Sequence, residues 1–271
     1  MKNSANKGEK KPYWSFKAAA REGEGELYIY GDITSWEWDE SDTSANGFRR
    51  DLDALGDIHT LQLYINSPGG SVFEGVAIYN ILKRHKARVI VHVDGLAASI
   101  ASVIAMAGDE IHMPRNAMMM IHNPWTFTWG NAAELRKVAD DLDRIGGSMK
   151  QTYLDRAGDK LDETKLTELL DAETWLSAQE CYDYGFCEVV GEANQAAACI
   201  SKDLFAKYRN VPAALLEAPA SNTQPPEAQT PEVAAEAEKY LQSIRETAAL
   251  EIQNIKSIIG GITHGKNTVR Y

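Results

Sequence analysis

The sequence predicts an α/β fold in which strands alternate with helices from residue 27 to about residue 190. Residues 89–93 form a short run of apolar and β-branched residues typical of a buried strand, and residues 100–107, which follow, have the composition of a buried helix. Residues 63–66 likewise predict a strand, which leads through a Pro-Gly-Gly turn into a helix over residues 72–83. Both pairs follow the same strand, turn and helix order.

The chain of 271 residues is long enough for one compact domain with appended segments. Polar residues at the start predict a flexible arm over residues 1–24, and the strand and helix alternation places the domain at residues 25–192. Residues 193–231 are interpreted as a linker, because Pro, Ala and polar residues concentrate near their end. Residues 232–271 are interpreted as a helical extension, since apolar side chains recur there at helical spacing.

Composition excludes several classes of protein. The net charge of −11 argues against a nucleic-acid surface, which needs clustered Lys and Arg. No window approaches the roughly 18 consecutive apolar residues of a membrane span, and the first residues lack the apolar core of a signal peptide. Cys181, Cys187 and Cys199 have no histidine at metal-ligand spacing. We therefore expect a cytoplasmic protein without metal or cofactor, membrane segment or nucleic-acid partner.

A candidate nucleophile and a candidate base each lie where an apolar strand runs into a turn. Ser99 ends the segment Gly-Leu-Ala-Ala-Ser and directly precedes the predicted helix, whose first amides favour a developing oxyanion. His122 follows a second apolar run and precedes Asn-Pro, so we expect it at a strand end, where it would take the proton of the serine. The alternative is that Ser99 is an ordinary helix cap and His122 a loop residue.

The Pro-Gly-Gly turn supplies a candidate oxyanion hole. Two glycines allow the backbone to approach a ligand closely. The amides of Gly70 and Ile100, the residue after Ser99, are the expected donors to an oxyanion. Alone, Pro-Gly-Gly would indicate only a turn.

The three segments Asn-Ser-Pro-Gly-Gly, Gly-Leu-Ala-Ala-Ser and Met-Ile-His-Asn-Pro, in this order, closely resemble the proteolytic subunit of the Clp protease. The resemblance covers about residues 27–190. It continues into residues 173–178 and 184–186, which look like the closing helix and final core strand of that family. It implies a crotonase-like fold of repeated β-β-α units and a serine peptidase with a Ser-His-Asp triad.

Ser99 and His122 match the first two triad members residue by residue. The third position aligns with Glu173, because the Trp-Leu-Ser-Ala stretch leaves no gap, whereas a shifted loop would bring in Asp171. Either carboxylate would orient the imidazole. The resemblance also implies that Gly69, Ser71 and Val72, with Gly70, line a groove in which substrate adds as a β-strand.

Several segments resemble one branch of the family, the head maturation proteases of tailed phages and prophages. These are residues 13–16, 27–34, 94–108 and 172–177. The implied substrate is a capsid or scaffold precursor, and the implied place is the host cytoplasm or the procapsid. The alternatives are a housekeeping peptidase that works with an AAA+ unfoldase, and a catalytically silent crotonase-like protein that binds scaffold. An acyl-CoA enzyme of the same superfamily is a less favoured alternative, because such enzymes need no Ser-His pair and this sequence has one.

An amphipathic helix is predicted over residues 132–155. Its apolar positions are Leu135, Val138, Leu142, Ile145 and Met149. In the family, the corresponding helix meets its mate between two stacked rings, which implies a homo-oligomer. The alternative is a helix that faces the core of its own domain.

Overall fold

The computed structural model describes residues 13–34, 44–193 and 208–212. Within these ranges one mixed sheet of eight strands carries helices on its faces, which confirms the α/β prediction. The strands are β1 (Trp14–Ala18), β2 (Glu24–Tyr30), β3 (Thr60–Ser67), β4 (Arg88–Ala98), β5 (Glu110–Pro114), β6 (Met118–Ile121), β7 (Thr174–Ser177) and β8 (Val189–Gly191). The helices are α1 (Ser44–Asp53), α2 (Val72–Arg84), α3 (Ile100–Ala105), α4 (Ala132–Ala157), α5 (Glu163–Asp171) and α6 (Ala178–Asp183), with a 3-10 turn at Gly158–Lys160. The repeated β-β-α arrangement remains a prediction.

The main path of the sheet has the strand order β1-β2-β3-β4-β5-β8. β1 is antiparallel to β2, and the remaining neighbours on this path are parallel. Alternate residues of β3 are buried, because successive side chains of a strand point to opposite faces. Leu61, Leu63 and Ile65 thereby form part of the main core.

Strand β4 pairs with β3 along one edge and divides its other edge between two neighbours. Its first half pairs with β5 through Ile90, Val91 and His92, and its second half pairs in parallel with β6 over residues 96–98. β7 then adds antiparallel to β6. The β4, β6 and β7 ends thus form a branch beside the main sheet.

Two helices pack closely behind the carboxyl ends of β3 and β4. A Cβ on Gly75 of α2 would lie 2.2 Å from Cγ1 of Ile100 in α3, so only glycine allows this approach. All six residues of α3 are buried. The contact fixes the turn after β3 against the start of α3.

The structure corrects the expected elements near the carboxyl end of the domain. Residues 174–177 form a strand rather than the predicted helix, because β6 offers an edge with which they pair. The closing helix is α6, which begins after Ser177 with a capping box to Glu180. The predicted strand at residues 184–186 is a turn with Gly185 at a φ of 80°, and the final strand is β8.

The structure also differs from the predicted flexible arm over residues 1–24, because this range contains β1, in which Trp14 is only 4% exposed. Its ring packs edge to face against Phe48 of α1, and its indole N–H donates to Asp51. The proposed linker and helical extension lie outside the described residues, apart from residues 193 and 208–212.

Helix α4 confirms the predicted amphipathic helix and begins with a capping box between Asn131 and Glu134. Only its second half enters the core, where Met149, Tyr153 and Ala157 are buried. Leu135 in the first half is exposed, so this part of α4 does not face the core of its own domain. Among the described helices, none has the length and apolar character needed to cross a membrane.

Candidate active site

Ser99 stands at the carboxyl end of β4, immediately before α3. Its φ of 55° and ψ of −128° lie in a region that residues other than glycine rarely adopt. The N–H of Ser99 donates to the carbonyl of Met120 on β6, at 2.8 Å. Such backbone strain persists only where surrounding contacts fix it, and it is typical of functional positions.

A buried serine and tyrosine lie directly beneath Ser99. The hydroxyl of Ser102 donates to the carbonyl oxygen of Ser99 at 2.5 Å, and it lies 2.6 Å from the hydroxyl of Tyr153 on α4. Both side chains are fully buried, and burial raises the pKa of Tyr153, which therefore stays neutral. The pair connects α4 to the strained backbone of Ser99.

His122 follows β6, the parallel neighbour of β4, so the register of the two strands brings it beside Ser99. Nε2 of His122 lies 2.7 Å from Oγ of Ser99, a hydrogen-bond distance. The imidazole is 8% exposed, and this burial lowers its pKa below the usual value, while the charge of Glu173 acts in the opposite direction. At neutral pH the ring is therefore uncharged and able to accept a proton.

The two candidate carboxylates have different partners. The pairing of Thr174 with Ile121 places Glu173 beside His122, and Glu173 itself has a φ of 50°. Its Oε1 accepts hydrogen bonds from the N–H groups of Arg209 and Asn210, at 2.7 and 2.9 Å. Oδ1 of Asp171 instead accepts from the side-chain amide of Asn123, at 2.6 Å.

Among the described residues, no hydrogen bond joins either carboxylate to Nδ1 of His122. Of the two, only Glu173 has a charge that acts on the pKa of the imidazole. Electrostatics therefore favour Glu173 over Asp171 as the third member.

The turn after β3 lies against Ser99. Gly69 has a φ of 93°, and a Cβ there would lie 2.7 Å from Cβ of Ser99 and 3.2 Å from the backbone nitrogen of Ile100. Gly70 has a φ of 147°, and a Cβ there would lie 2.0 Å from the carbonyl oxygen of Ile33. The two glycines are required by this close approach, which brings the turn to the amide of Ile100.

A second buried serine supports this turn. The hydroxyl of Ser67 donates to the carbonyl of Gly31 at 2.6 Å and accepts from the N–H of Gly69 at 3.1 Å. Apart from Tyr, Trp and Cys, the buried residues with polar side chains in the described part of the chain are Ser67, Ser102 and His122, and all three belong to this site. The two supporting serines, Ser67 and Ser102, are not among the site residues predicted from the sequence; for Ser67 the available signal is its place in the Asn-Ser-Pro-Gly-Gly segment.

A cavity of about 330 Å³ opens beside the nucleophile. Its lining includes Gly69, Gly70, Val72, Ser99, His122 and Tyr208. Of the expected substrate-binding residues, Val72 is the first residue of α2 rather than part of a strand, and the N–H of Ser71 is bonded to Ile33 at 2.7 Å. The extended edge expected over residues 69–72 is thus limited to the turn itself.

A second cavity, of about 470 Å³, lies on the other side of His122 and is lined in part by Asp171, Glu173 and Asn210. The exposed aromatic residues Trp125 and Phe127 border both cavities. The linings of the two cavities share His122 and residues 124–127, and the two cavities together are called the groove.

The described residues contain no cluster of three His, Cys, Asp or Glu side chains placed to hold a metal ion. Cys181 and Cys187 are buried and unpaired, and burial raises the pKa of both thiols. Neither lines the groove described above. Cys199 lies outside the described residues.

Comparisons with known proteins show the family of the chain. A family model described as Clp protease matches residues 41–194, which is more than half of the chain. The ATP-dependent Clp protease proteolytic subunit of Streptococcus agalactiae is 33% identical over 147 residues, which cover 53% of this chain and 74% of that protein. Proteins of the same name from Oltmannsiellopsis viridis and Ostreococcus tauri are 36% and 33% identical, and the matches cover 67% and 79% of their lengths. The chain therefore belongs to the Clp protease family, a family of serine peptidases.

Proposed function

We propose that this protein is a serine endopeptidase in which Ser99 is the nucleophile and His122 the general base. The observation that carries the proposal is the 2.7 Å contact between Nε2 of His122 and Oγ of Ser99, at the edge of an open cavity. A serine hydroxyl is a poor nucleophile until an adjacent base accepts its proton. The lowered pKa of His122 keeps the base in its accepting form.

The reaction follows from these positions. Oγ of Ser99 attacks the peptide carbonyl carbon while Nε2 of His122 takes its proton, and the amides of Gly70 and Ile100 bind the oxyanion. When the C–N bond breaks, His122 returns the proton to the leaving amine. Water then attacks the acyl-enzyme, again with His122 as the base, and Ser99 is released. Glu173 stabilises the imidazolium electrostatically.

Substrate binds in the groove next to the glycine turn. Gly69 and the exposed Gly70 line the cavity beside apolar side chains, which suits an extended peptide that is recognised mainly through its main chain. The more specific role that we propose is head maturation, with a capsid or scaffold precursor as substrate and a homo-oligomeric ring as the working form. Its support is the resemblance of residues 13–16, 27–34, 94–108 and 172–177 to that branch of the family.

A second candidate is a housekeeping peptidase that works with an AAA+ unfoldase. The observation that favours it is the name shared by the relatives, ATP-dependent Clp protease proteolytic subunit. The two roles differ in their requirement for ATP. Trimming of a capsid precursor without ATP or unfoldase supports head maturation, whereas hydrolysis of folded proteins only with an unfoldase and ATP supports the housekeeping role.

Labelling with a fluorophosphonate probe tests the chemistry itself. We expect the parent protein to be labelled, and we expect Ser99→Ala and His122→Ala to lose the label. An unlabelled parent protein, in its assembled form and with its normal melting temperature, would overturn the proposal and favour a silent scaffold-binding protein.

A further inference from the structure

A short segment beyond the region matched by the family model lies against every member of the candidate triad. Residues 208–212 are well separated in sequence from residue 194, where the match ends. The segment nevertheless contacts the turn after β3, the residues that follow β4 and β6, and Glu173 before β7. Its contacts are therefore with the site itself.

Tyr208 makes contacts on the nucleophile side of the groove. Its hydroxyl donates to the carbonyl oxygen of Pro68, in the glycine turn. Its ring lies edge to face against the ring of His122, with centroids 5.8 Å apart, and against Trp175, with centroids 5.7 Å apart. Burial raises the pKa of Tyr208, and a hydrogen bond with the side chain of Ser99 partly offsets this effect. The phenol is therefore neutral and adjoins the hydroxyl of Ser99.

The next two residues hold Glu173. Their N–H groups both donate to Oε1 of Glu173, and Nδ2 of Asn210 donates to the carbonyl of Ala172 at 2.7 Å. Three hydrogen bonds thus bind the segment to two successive residues. A flexible glutamate side chain loses rotamer freedom in such an arrangement, so its carboxylate keeps one place beside His122.

The segment is also anchored by apolar contacts. Tyr208 and Val211 pack onto a small buried cluster made of Leu96, Ala98 and Met120. This cluster belongs to the paired ends of β4 and β6, which carry Ser99 and His122. The anchor therefore fixes the segment to the same branch of the sheet as the chemistry.

Residues 208–212 border the active site without filling it. Tyr208 lines the cavity of about 330 Å³ together with Ser99 and His122, and space remains in front of the nucleophile. We infer that Tyr208, Arg209 and Asn210 are positioning residues that complete the active site, by holding the carboxylate of Glu173 and the hydroxyl of Ser99 in place. This inference rests on the proposed peptidase function.

Two matched pairs of variants of the full chain test the inference. Arg209→Pro removes the N–H that donates to Glu173, whereas Arg209→Ala keeps it. Both variants lose the positive charge that lowers the pKa of His122, so the comparison between them isolates the effect of the N–H. Tyr208→Phe removes only the hydroxyl that bonds to Pro68, and Tyr182→Phe is its control on α6, far from the contacts described. We expect Arg209→Pro and Tyr208→Phe to lower kcat on a peptide substrate by about 10-fold to 100-fold, with KM within about twofold of the parent. Tyr182→Phe is expected to stay close to the parent, and Arg209→Ala is expected to keep a kcat well above that of Arg209→Pro.

Labelling of the same variants by the fluorophosphonate probe should slow in parallel, at a melting temperature close to that of the parent. Unchanged labelling and kcat in both Arg209→Pro and Tyr208→Phe would overturn the inference. Faster labelling would also overturn it, because the segment would then obstruct the groove instead of positioning its groups.

Hydrogen exchange provides a readout that does not depend on catalysis. The amides of Arg209 and Asn210 should exchange slowly in the parent and faster in Glu173→Ala, because that variant removes their acceptor. Equal exchange in the two proteins would overturn the inference even if the parent is an active peptidase. Slow exchange together with an unlabelled parent would instead count against the proposed function alone.

Discussion

At the scale of single residues, the backbone of Ser99 has a strained conformation that its neighbours hold in place. Its unusual φ and ψ are held from both sides, by the bond from its N–H to Met120 and by the bond from Ser102 to its carbonyl oxygen. Strained backbone of this kind costs on the order of 1–3 kcal/mol and needs surrounding contacts to persist. The hydroxyl pair of Ser102 and Tyr153 is therefore expected to affect catalysis as well as stability.

Removing the hydroxyl of Tyr153 should weaken this support. We expect Tyr153→Phe to lower the free energy of unfolding by about 1 kcal/mol, because the buried hydroxyl of Ser102 loses a hydrogen-bond partner. The rate of fluorophosphonate labelling should fall, since the backbone of Ser99 becomes less fixed. Denaturant unfolding and labelling kinetics measure the two effects. Labelling at the parent rate would show that this pair contributes to the core alone.

The protonation of His122 should set the acid limb of activity. Burial lowers the pKa of His122 below its ordinary value of 6.5, so the ring stays uncharged to a lower pH than an exposed histidine would. We expect kcat/KM to fall with decreasing pH at a midpoint below that value. Glu173→Gln should move the midpoint to still lower pH, because the negative charge that raises the pKa is lost.

Asp171→Asn is the matched control for this pH profile, since Asp171 pairs with Asn123 rather than acting on the imidazole. It should leave both the midpoint and the maximal rate near those of the parent, whereas Glu173→Gln lowers the maximal rate as well. A larger effect from Asp171→Asn would assign the third position to Asp171.

At the scale of elements, the turn between β3 and α2 has no space for a side chain at either of its glycines, Gly69 and Gly70. A Cβ on Gly70 would collide with the carbonyl oxygen of Ile33, and both glycines of the turn have positive φ. The turn is bonded to Ile33 through both Gly69 and Ser71. Its position against Ile100 therefore depends on the absence of side chains.

Gly70→Ala should therefore displace the turn. We expect it to abolish probe labelling and to lower the free energy of unfolding by roughly 1–3 kcal/mol. Gly147→Ala is the matched control, because it lies inside α4 with open space around it and should stabilise the protein by a few tenths of a kcal/mol or more. A labelled, stable Gly70→Ala protein would contradict this account of the turn.

The motif residues could be predicted from sequence because each lies at the end of a strand that an apolar run marks clearly. Ser99 and His122 meet because β4 and β6 are parallel neighbours. The resemblance implied the pair of side chains, whereas the pairing of the two strands is known only from the structure. The contact between Ser102 and Tyr153 joins residues 51 positions apart, so only the fold reveals it. Residues 208–210 lie inside the segment that is predicted as a linker from the Pro, Ala and polar residues near its end, so nothing in the sequence indicates their contacts with the site.

At the scale of the whole molecule, large aromatic side chains are exposed before α4. Phe127 and Trp129 are 90% and 92% exposed, and they precede the exposed first half of α4. Large apolar side chains that are exposed close together mark interaction surfaces more often than chance. Under the proposed homo-oligomeric state, this region is the expected contact.

Replacing both aromatic residues tests that expectation. We expect Phe127→Ser with Trp129→Ser to lower the mass measured by light scattering, because the contact loses its apolar area, while the melting temperature of the domain changes little. Tyr182→Ser, on a different element and 42% exposed, is the control and should keep the parent mass. An unchanged mass in the double variant would place the contact elsewhere.

The short ladder between β4 and β6 determines the distance between Ser99 and His122. The ladder consists of three residue pairs. α3 and β5 lie between Ser99 and His122 in sequence, but they are not part of this ladder. Because side chains alternate between faces, a slip of one residue in this ladder would turn the imidazole away from the serine. Insertions in the turn at Arg115 and Asn116 are therefore compatible with an intact Ser99 and His122 pair, whereas one extra residue between Met118 and His122 is not. The distance between the Ser99 hydroxyl and the His122 imidazole thus depends on three pairs of backbone residues, so the surrounding loops can differ in sequence and length without changing it.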